Sequence, residues 1–206
     1  MPLVLVVLLV LVSWQVAAHG PLLGLDRAVR HATARLRDGL RDPLVTGAAH
    51  AFSDLGSTVP AIPLLFGGGA LAAWRWRRAG ALRWWLPVPV AVLAAVLIPL
   101  LVVPAKAWFA RPGPLGLPLA PGSWGWYPSG HTTTACVSYG VAALLLARTA
   151  GRVGWWAAGA AVLWLGVGWG LVWCDYHWFL DVLAGWCLAG LVLWCLNRWL
   201  PHPGRS

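Results

Sequence analysis

The sequence predicts an all-α integral membrane protein, a bundle of six transmembrane helices with an amphipathic surface helix between the first and second spans. Of its 206 residues, 60% are hydrophobic and 10% are charged, whereas soluble domains carry about 25% charged residues. Several apolar segments reach the roughly 17 to 25 residues that a helix needs to cross a bilayer. The most polar stretch, residues 19–55, separates the first of these segments from the second. We therefore expect a single membrane domain over residues 1–206.

The first hydrophobic run, residues 3–18, has two readings. Its end, Val16-Ala17-Ala18, resembles a signal-peptide cleavage site, but no Lys or Arg precedes the run. A signal peptide normally begins with a basic region. We interpret the run as a retained first span, and cleavage would leave the rest of the topology unchanged.

The polar segment that follows has helical periodicity. Apolar residues recur at spacings of three and four, namely Leu25, Val29, Ala32, Leu36 and Leu40, with Arg and Asp between them. This pattern predicts an amphipathic helix lying along the membrane surface. Asp26 and Arg30 are four residues apart, and Asp38 and Arg41 are three apart, so both are predicted to form ion pairs within the helix.

Five further spans complete the predicted bundle. They cover about residues 57–74, 84–103, 132–150, 153–173 and 179–199. The third contains Pro87, Pro89 and Pro99, which membrane helices tolerate. A loop rich in Pro and Gly, residues 104–128, separates the third span from the fourth. No internal repeat is evident, and no pattern predicts an oligomeric state.

The distribution of arginine predicts the orientation. An even number of spans places both termini on one side of the membrane. On that side, loops 75–83 and 148–152, the end of the sixth span and the C-terminal tail contribute eight Arg and no acidic residue. By the positive-inside rule this side is cytoplasmic. The five Arg of residues 19–55 are accompanied by four Asp and oppose this orientation only weakly.

The net charge of +9 reflects membrane topology. The Arg residues do not line one face, so we expect the lipid bilayer and anionic headgroups as partners and no nucleic acid. Fourteen Arg against one Lys is typical of a GC-rich bacterial genome, and we predict a bacterial cell membrane. The four Cys lie in or at the ends of predicted spans without metal-type spacing, which indicates free thiols.

The motif Pro128-Ser129-Gly130-His131 interrupts the apolar sequence just before the fourth span. Pro128 disfavours helix in the preceding residue and Ser129 favours a helix N-cap, so a helix should begin here. The unpaired amides at its start, bared by Gly130, can hold a phosphate-like anion beside His131. The alternative is an ordinary loop-to-helix junction with a buried histidine.

A second polar pair opens the sixth span. His177 and Asp181 are four residues apart, so they share a helix face. An Asp inside an apolar segment is costly unless it is paired, and Asp181 can hold His177 in one tautomer. The alternative is a structural pair that ties two helices together. By span parity, His177, His131, Lys106 and Arg111 all fall at outward-facing helix ends, so we expect them to converge near the outer headgroups.

Together these residues have the chemistry of phosphoryl transfer. His177 can attack phosphorus, and His131 can protonate the leaving oxygen. Lys106, Arg111 and the backbone of residues 129–131 can neutralise the phosphoryl oxygens. We predict no metal and no other cofactor, because these cations supply the charge that magnesium would.

The motifs resemble those of the type 2 phosphatidic acid phosphatase (PAP2) superfamily of membrane lipid phosphatases, which is related to vanadium haloperoxidases. The family pattern is Lys-x6-Arg-Pro, Pro-Ser-Gly-His and Ser-Arg-x5-His-x3-Asp. The second motif is complete at residues 128–131, and the third ends with His177-x3-Asp181. The resemblance covers residues from about 55 to 199, after the amphipathic segment at about 19–55.

The resemblance implies a metal-independent phosphatase with a phosphohistidine intermediate, acting at the outer leaflet on a lipid phosphate or pyrophosphate. Undecaprenyl pyrophosphate, phosphatidic acid and phosphatidylglycerol phosphate are substrates of similar proteins. The implied catalytic residues are His177, His131 and Asp181. The implied phosphate-binding residues are Lys106, Arg111, Ser129 and Gly130.

Two departures from the family pattern remove expected arginines. When the first motif is aligned on Lys106, the family Arg falls on Gly113; when it is aligned on Arg111, the Lys is two residues too close. Gly170-Leu171 stands where the third motif has Ser-Arg. Loss of one charge-stabilising donor typically costs about 10²- to 10³-fold in rate.

Two rival functions follow. One is a catalytically impaired family member that binds lipid phosphates, which the missing arginines would explain. The other is a metal-dependent membrane hydrolase with His131, His177, Asp175 and Asp181 as its ligands. In either reading Asp175 places negative charge close to His177, where a phosphate should bind.

Overall fold

The structure, a computed structural model, describes residues 2–120, 122–150 and 153–200, and over these ranges it consists of eight α-helices without strands. The helices are α1 (Pro2–Ala17), α2 (Leu23–Leu40), α3 (Pro43–Leu55), α4 (Thr58–Arg78), α5 (Pro87–Phe109), α6 (Gly130–Ala150), α7 (Val153–Trp173) and α8 (Phe179–Trp199). The all-α prediction is thus confirmed for the described residues.

A helix occupies each of the six segments predicted to span the membrane. Three of them, α5, α7 and α8, are long and apolar enough to cross a bilayer. The α3–α4 pair passes the same test as one unit that is bent by 56° at a short break, and α1 is a shorter apolar helix of 16 residues. By length and composition the described chain therefore has three candidate spans, or four with the bent pair, and the six-span topology stays a prediction.

Helix α6 lies at the centre of the bundle, where it contacts α4, α5, α7 and α8. Residues 132–141 are buried, and many of them carry small or hydroxyl side chains that allow the neighbouring helices to approach closely. The apolar core around α6 includes Leu65, Trp76, Val141 and Leu145. All four cysteines are free, as predicted. This central position fixes the N-terminus of α6 among the ends of its neighbours.

Helix α2 coincides with the predicted amphipathic helix, but residues 43–55 form a second helix that the sequence analysis did not anticipate. Asp42 caps its N-terminus by accepting a hydrogen bond from the Leu44 amide at 2.7 Å. Ala49 and Ser53 are buried against α7. This contact requires Gly170, because a Cβ there would lie 2.3 Å from the Ala49 carbonyl oxygen. Helix α3 is therefore part of the bundle.

The predicted ion pairs within α2 are wrong. Asp26 and Arg30 both bind partners outside their own helix, and Arg41 donates to the backbone carbonyl of Asp38. An exposed pair along a helix contributes only a few tenths of a kcal/mol, so buried partners in other elements outcompete it. Helix α2 thus uses its charged residues to attach to the bundle.

Two of the Arg residues that predict the orientation, Arg152 and Arg205, lie outside the described residues. Arg75, Arg77 and Arg78 occupy the last turn of α4, at the opposite end of that helix from Ser57, its N-cap residue.

Candidate active site

One cavity of about 860 Å³ lies where the start of α4, the end of α5, the start of α6 and the α7–α8 connection meet. Four predicted site residues line it, namely Lys106, Gly130, His131 and His177. Its remaining wall is largely apolar and includes Ile62, Ala95, Ile98, Val102 and Val103. The predicted convergence is therefore found for these four residues, beside an apolar surface.

His177 and Asp181 form the predicted pair. The His177 Nδ1–H donates to Asp181 Oδ2 at 3.2 Å, across one turn at the start of α8. Their exposed fractions are 6% and 0%. Burial lowers the pKa of His177, while the hydrogen bond and charge of Asp181 oppose this shift. The imidazole is thus neutral near pH 7, with Nε2 left as the nitrogen that can react.

His131 faces His177 from the first turn of α6. The two ring centroids are 6.3 Å apart and the ring planes are inclined by 60°. His131 is exposed and lines the cavity. This spacing leaves room for a phosphoryl group between the rings, so that one imidazole can act as nucleophile and the other as acid.

Lys106 and the start of α6 provide the positive side of the cavity. Lys106 Nζ donates to the carbonyl oxygens of Gly125 at 2.9 Å and Trp126 at 3.3 Å. It lies beside Gly130, where an added Cβ would be 3.6 Å from Lys106 Cε. Among the described residues of the lining, Lys106 is the one Lys or Arg. The first amides of α6 have no helical acceptor, so Gly130 and His131 can donate to an anion.

Ser129 is the predicted N-cap of α6, but it does not line the cavity. Its Oγ accepts from the Thr132 amide at 3.2 Å and from the Thr132 hydroxyl at 2.9 Å. Its own amide donates to the Asp181 carbonyl at 3.0 Å, and the residue is fully buried. The cap prediction is confirmed. The predicted contact of Ser129 with phosphate is corrected, because both of its polar groups already serve to cap α6 and to join it to α8.

Arg111 also lies outside the cavity lining. Its NH1 donates to Asp181 Oδ1 and its NH2 donates to Asp26 Oδ2, both at 2.5 Å. The guanidinium is 9% exposed and stacks over the Trp178 ring at 5.4 Å. The predicted phosphate contact of Arg111 is therefore corrected, since both of its terminal nitrogens are held by carboxylates.

Asp175, the acidic neighbour of His177, is neutralised by α2. Its carboxylate accepts from Arg30 Nε and from Arg37 NH2, each at 2.9 Å. Arg37 also donates to the Trp173 carbonyl. These pairs remove Asp175 from the ligand set of the metal-dependent alternative. In the part of the chain that the structure describes, no group of three or more His, Cys, Asp or Glu residues is placed to hold a metal ion.

The departures from the family motifs have reasons in the fold. A Cβ at Gly113 would lie 2.8 Å from the Trp126 ring. Gly170 allows α3 to approach α7. Leu171 is fully buried in the core, and its carbonyl accepts from the amides of Tyr176 at 2.9 Å and His177 at 3.2 Å. Leu171 therefore holds the α7–α8 connection in place, and none of the three positions contributes a cation to the cavity.

The sequence analysis did not assign three residues that lie near the site. Asp54 and Tyr176 line the cavity, and no pattern in the sequence marks them. Asp26 is almost fully buried beside Arg111. A signal for it existed, because Asp26, Arg30 and Arg37 fall on one face of α2, apart from its apolar stripe.

Comparisons with known proteins agree with the motif resemblance. A family model described as PAP2 superfamily matches residues 84–205. The crystal structure of a transmembrane PAP2-type phosphatidylglycerolphosphate phosphatase from Bacillus subtilis is 23% identical in sequence, with a TM-score of 0.79. The match covers 96% of this chain and 94% of that one, which shows a shared fold. No curated protein sequence matches the chain.

Proposed function

The chain belongs to the PAP2 superfamily, and we propose that it hydrolyses a phosphate or pyrophosphate group on a membrane lipid without a metal ion. One observation carries the proposal: His131 and His177 face each other at 6.3 Å in a cavity that Lys106 also lines. Nucleophile, proton donor and cation are thus in one place. The apolar wall of the cavity suits a substrate that carries hydrocarbon beside its phosphate.

The reaction we propose has two steps. In the first, the Nε2 lone pair of His177 attacks phosphorus, the bond from phosphorus to the lipid oxygen breaks, and His131 gives its proton to that oxygen. Asp181 stabilises the resulting cationic imidazole, which carries the phosphoryl group. In the second step, His131 takes a proton from water, the water oxygen attacks phosphorus, and the bond from phosphorus to His177 breaks. Inorganic phosphate leaves.

Stabilisation of the phosphoryl oxygens falls to few groups. We assign this role to Lys106, which lines the cavity, and to the first amides of α6 at Gly130 and His131. Phosphatidylglycerol phosphate, phosphatidic acid and undecaprenyl pyrophosphate all fit this chemistry, and the likeness to a phosphatidylglycerolphosphate phosphatase favours the first as the starting substrate.

For location, we propose a bacterial plasma membrane with the cavity facing outward. The Arg residues of the loops at the opposite helix ends support this orientation. A lipid in the outer leaflet would then reach the histidines from the side, along the apolar wall between α4 and α5.

A second candidate function is lipid-phosphate binding without turnover. The observation that favours it is that Lys106 is the one Lys or Arg among the described residues of the cavity lining, since Gly113 and Leu171 replace the family arginines. Such a protein would bind a lipid phosphate and release no inorganic phosphate.

The test is release of inorganic phosphate by the purified protein in detergent, measured over a panel of lipid phosphates with and without a chelator. We expect chelator-insensitive turnover that is lost in His177→Ala. His31→Ala is the matched control, because His31 is exposed on α2 and should not matter. Binding without release in the wild type would favour the second candidate, and loss of turnover with the chelator would favour a metal-dependent hydrolase.

A further inference from the structure

Asp26 is an acidic residue of the surface helix α2 that points into the bundle. Its exposed fraction is 2%. Oδ1 accepts from the Leu180 amide at 2.8 Å, at the start of α8, and Oδ2 accepts from Arg111 NH2 at 2.5 Å. Burial raises the pKa of Asp26, and these two donors oppose that shift. A carboxylate that is buried to this extent needs both hydrogen bonds.

Arg111 links Asp26 to the catalytic pair. Its second terminal nitrogen donates to Asp181 Oδ1. The other oxygen of Asp181, Oδ2, accepts from His177 Nδ1 and from the Trp178 amide, each at 3.2 Å. A continuous chain of contacts therefore runs from Asp26 through Arg111 and Asp181 to His177.

Which donor each Asp181 oxygen contacts depends on the partner of the second terminal nitrogen of Arg111. An arginine left alone with one carboxylate tends to bind both oxygens at once. That geometry would draw Oδ2 of Asp181 away from His177 and would neutralise the charge that stabilises a cationic imidazole. Because Asp26 accepts from NH2 of Arg111, only NH1 donates to Asp181, at Oδ1.

We propose that Asp26 is a positioning residue for the proposed phosphatase reaction, which acts by holding Arg111 so that Asp181 stays directed at His177. The inference rests on the proposed function. Asp26 and Arg111 do not line the cavity that contains the histidines. Both line a separate cavity of about 640 Å³. Their effect therefore reaches the reaction through Asp181 and His177 and not through substrate contact.

The charged and titratable groups around His177 come from several elements. They are Lys106 of α5, His131 of α6, Asp181 of α8, and Arg111 in the loop that follows α5. Asp175, next to it in the chain, is already paired with Arg30 and Arg37. Removal of the Asp26 charge would thus act mainly through the Arg111–Asp181 contact. Because Asp181 would then stabilise the protonated imidazole less, the pKa of His177 should fall further.

The experiment compares Asp26→Asn with Asp38→Asn, an exposed residue of the same helix. For Asp26→Asn we expect kcat to fall about tenfold, as when a partner that orients a ligating histidine is removed. KM should stay within about twofold, and the acid limb of kcat/KM should move to lower pH. Asp38→Asn should match the wild type. Introduced into Arg111→Gln, Asp26→Asn should have no further effect.

The outcomes separate this inference from the proposed function. An inactive wild type would overturn the proposed function, and the Asp26 inference would then be decided by the pKa of His177, measured by NMR on histidine-labelled protein. A lower pKa in Asp26→Asn supports the inference, and an unchanged one overturns it. An active Asp26→Asn with wild-type kcat and pH profile also overturns it. If Asp26→Asn does not fold, Asp26→Glu keeps the charge but displaces Arg111, so wild-type kcat in that variant would count against the inference.

Discussion

The imidazoles of His131 and His177 face each other at 6.3 Å although 46 residues separate them in the chain. His131 opens α6, and His177 lies in the connection that leads into α8. The two rings are not equivalent. His177 is buried and bound to Asp181, whereas His131 is exposed to the cavity. This asymmetry supports the proposal that His177 is the nucleophile and His131 the acid.

The first prediction concerns the nucleophile. If His177 attacks phosphorus, a phosphohistidine should accumulate when turnover is quenched rapidly, and its label should be stable to base and lost in acid. His177→Ala should abolish the labelling. Mass spectrometry of the labelled peptide would locate the phosphate, and a label on Ser129 or His131 would contradict the assignment.

The second prediction concerns the acid. His131→Ala should lower kcat by about 10²- to 10⁴-fold for lipid substrates, the range of general acid catalysis. An aryl phosphate, whose leaving group needs little protonation, should lose much less. The ratio of the two rates in wild type and variant measures this, and equal losses for both substrates would remove His131 from the role of acid.

The third prediction is a pH dependence. In the proposed reaction His177 attacks in its neutral form, and burial lowers its pKa from the ordinary 6.5. Activity should therefore persist as the pH falls through 6.5 and be lost only at lower pH, where His177 becomes protonated. Profiles of kcat/KM corrected for substrate ionisation test this. An acid limb at or above 6.5 would show that His177 is not shielded as the structure places it.

The fourth prediction concerns Arg111. A lysine has one ammonium and cannot hold Asp26 and Asp181 at separate nitrogens as the guanidinium does. Arg111→Lys should therefore reduce kcat about tenfold or more while inhibition by inorganic phosphate stays nearly unchanged. Arg35→Lys, on the exposed side of α2, is the control. If inhibition by phosphate weakens in parallel with kcat, Arg111 binds the substrate directly.

The fifth prediction concerns orientation. In a background in which the four native cysteines are replaced, Leu117→Cys should react with an impermeant thiol reagent in intact cells and Leu82→Cys should not. Leu117 is 66% exposed and Leu82 is 76% exposed. A difference in labelling therefore reports the side of the membrane on which each residue lies. The reverse pattern would place the cavity in the cytoplasm.

Much of the site is local and was therefore readable from the sequence. The predicted shared helix face is wrong, because His177 lies two residues before α8, but the spacing of four still brings it to Asp181 in the first turn of that helix. Ser129 caps α6 because the cap uses the amide and hydroxyl of Thr132, three residues ahead. Apolar length and periodicity likewise predicted seven of the eight described helices, all but α3, since these patterns depend on neighbours within one or two turns.

Only the tertiary structure decided which opposite charges meet. Arg111 and Asp26 are 85 residues apart, and Arg37 and Asp175 are 138 apart. Helical periodicity predicts the face on which a charge lies and says nothing about the element that will cover it. Asp26 pairs with Arg111 and not with Arg30, the arginine one helical turn away, since a buried carboxylate requires a partner that is buried with it, whereas a surface pair contributes little. The sequence thus determined seven of the described helices and the His177–Asp181 pair, and the fold decided that α3 joins the bundle and that Arg111 contacts Asp181 from outside the cavity.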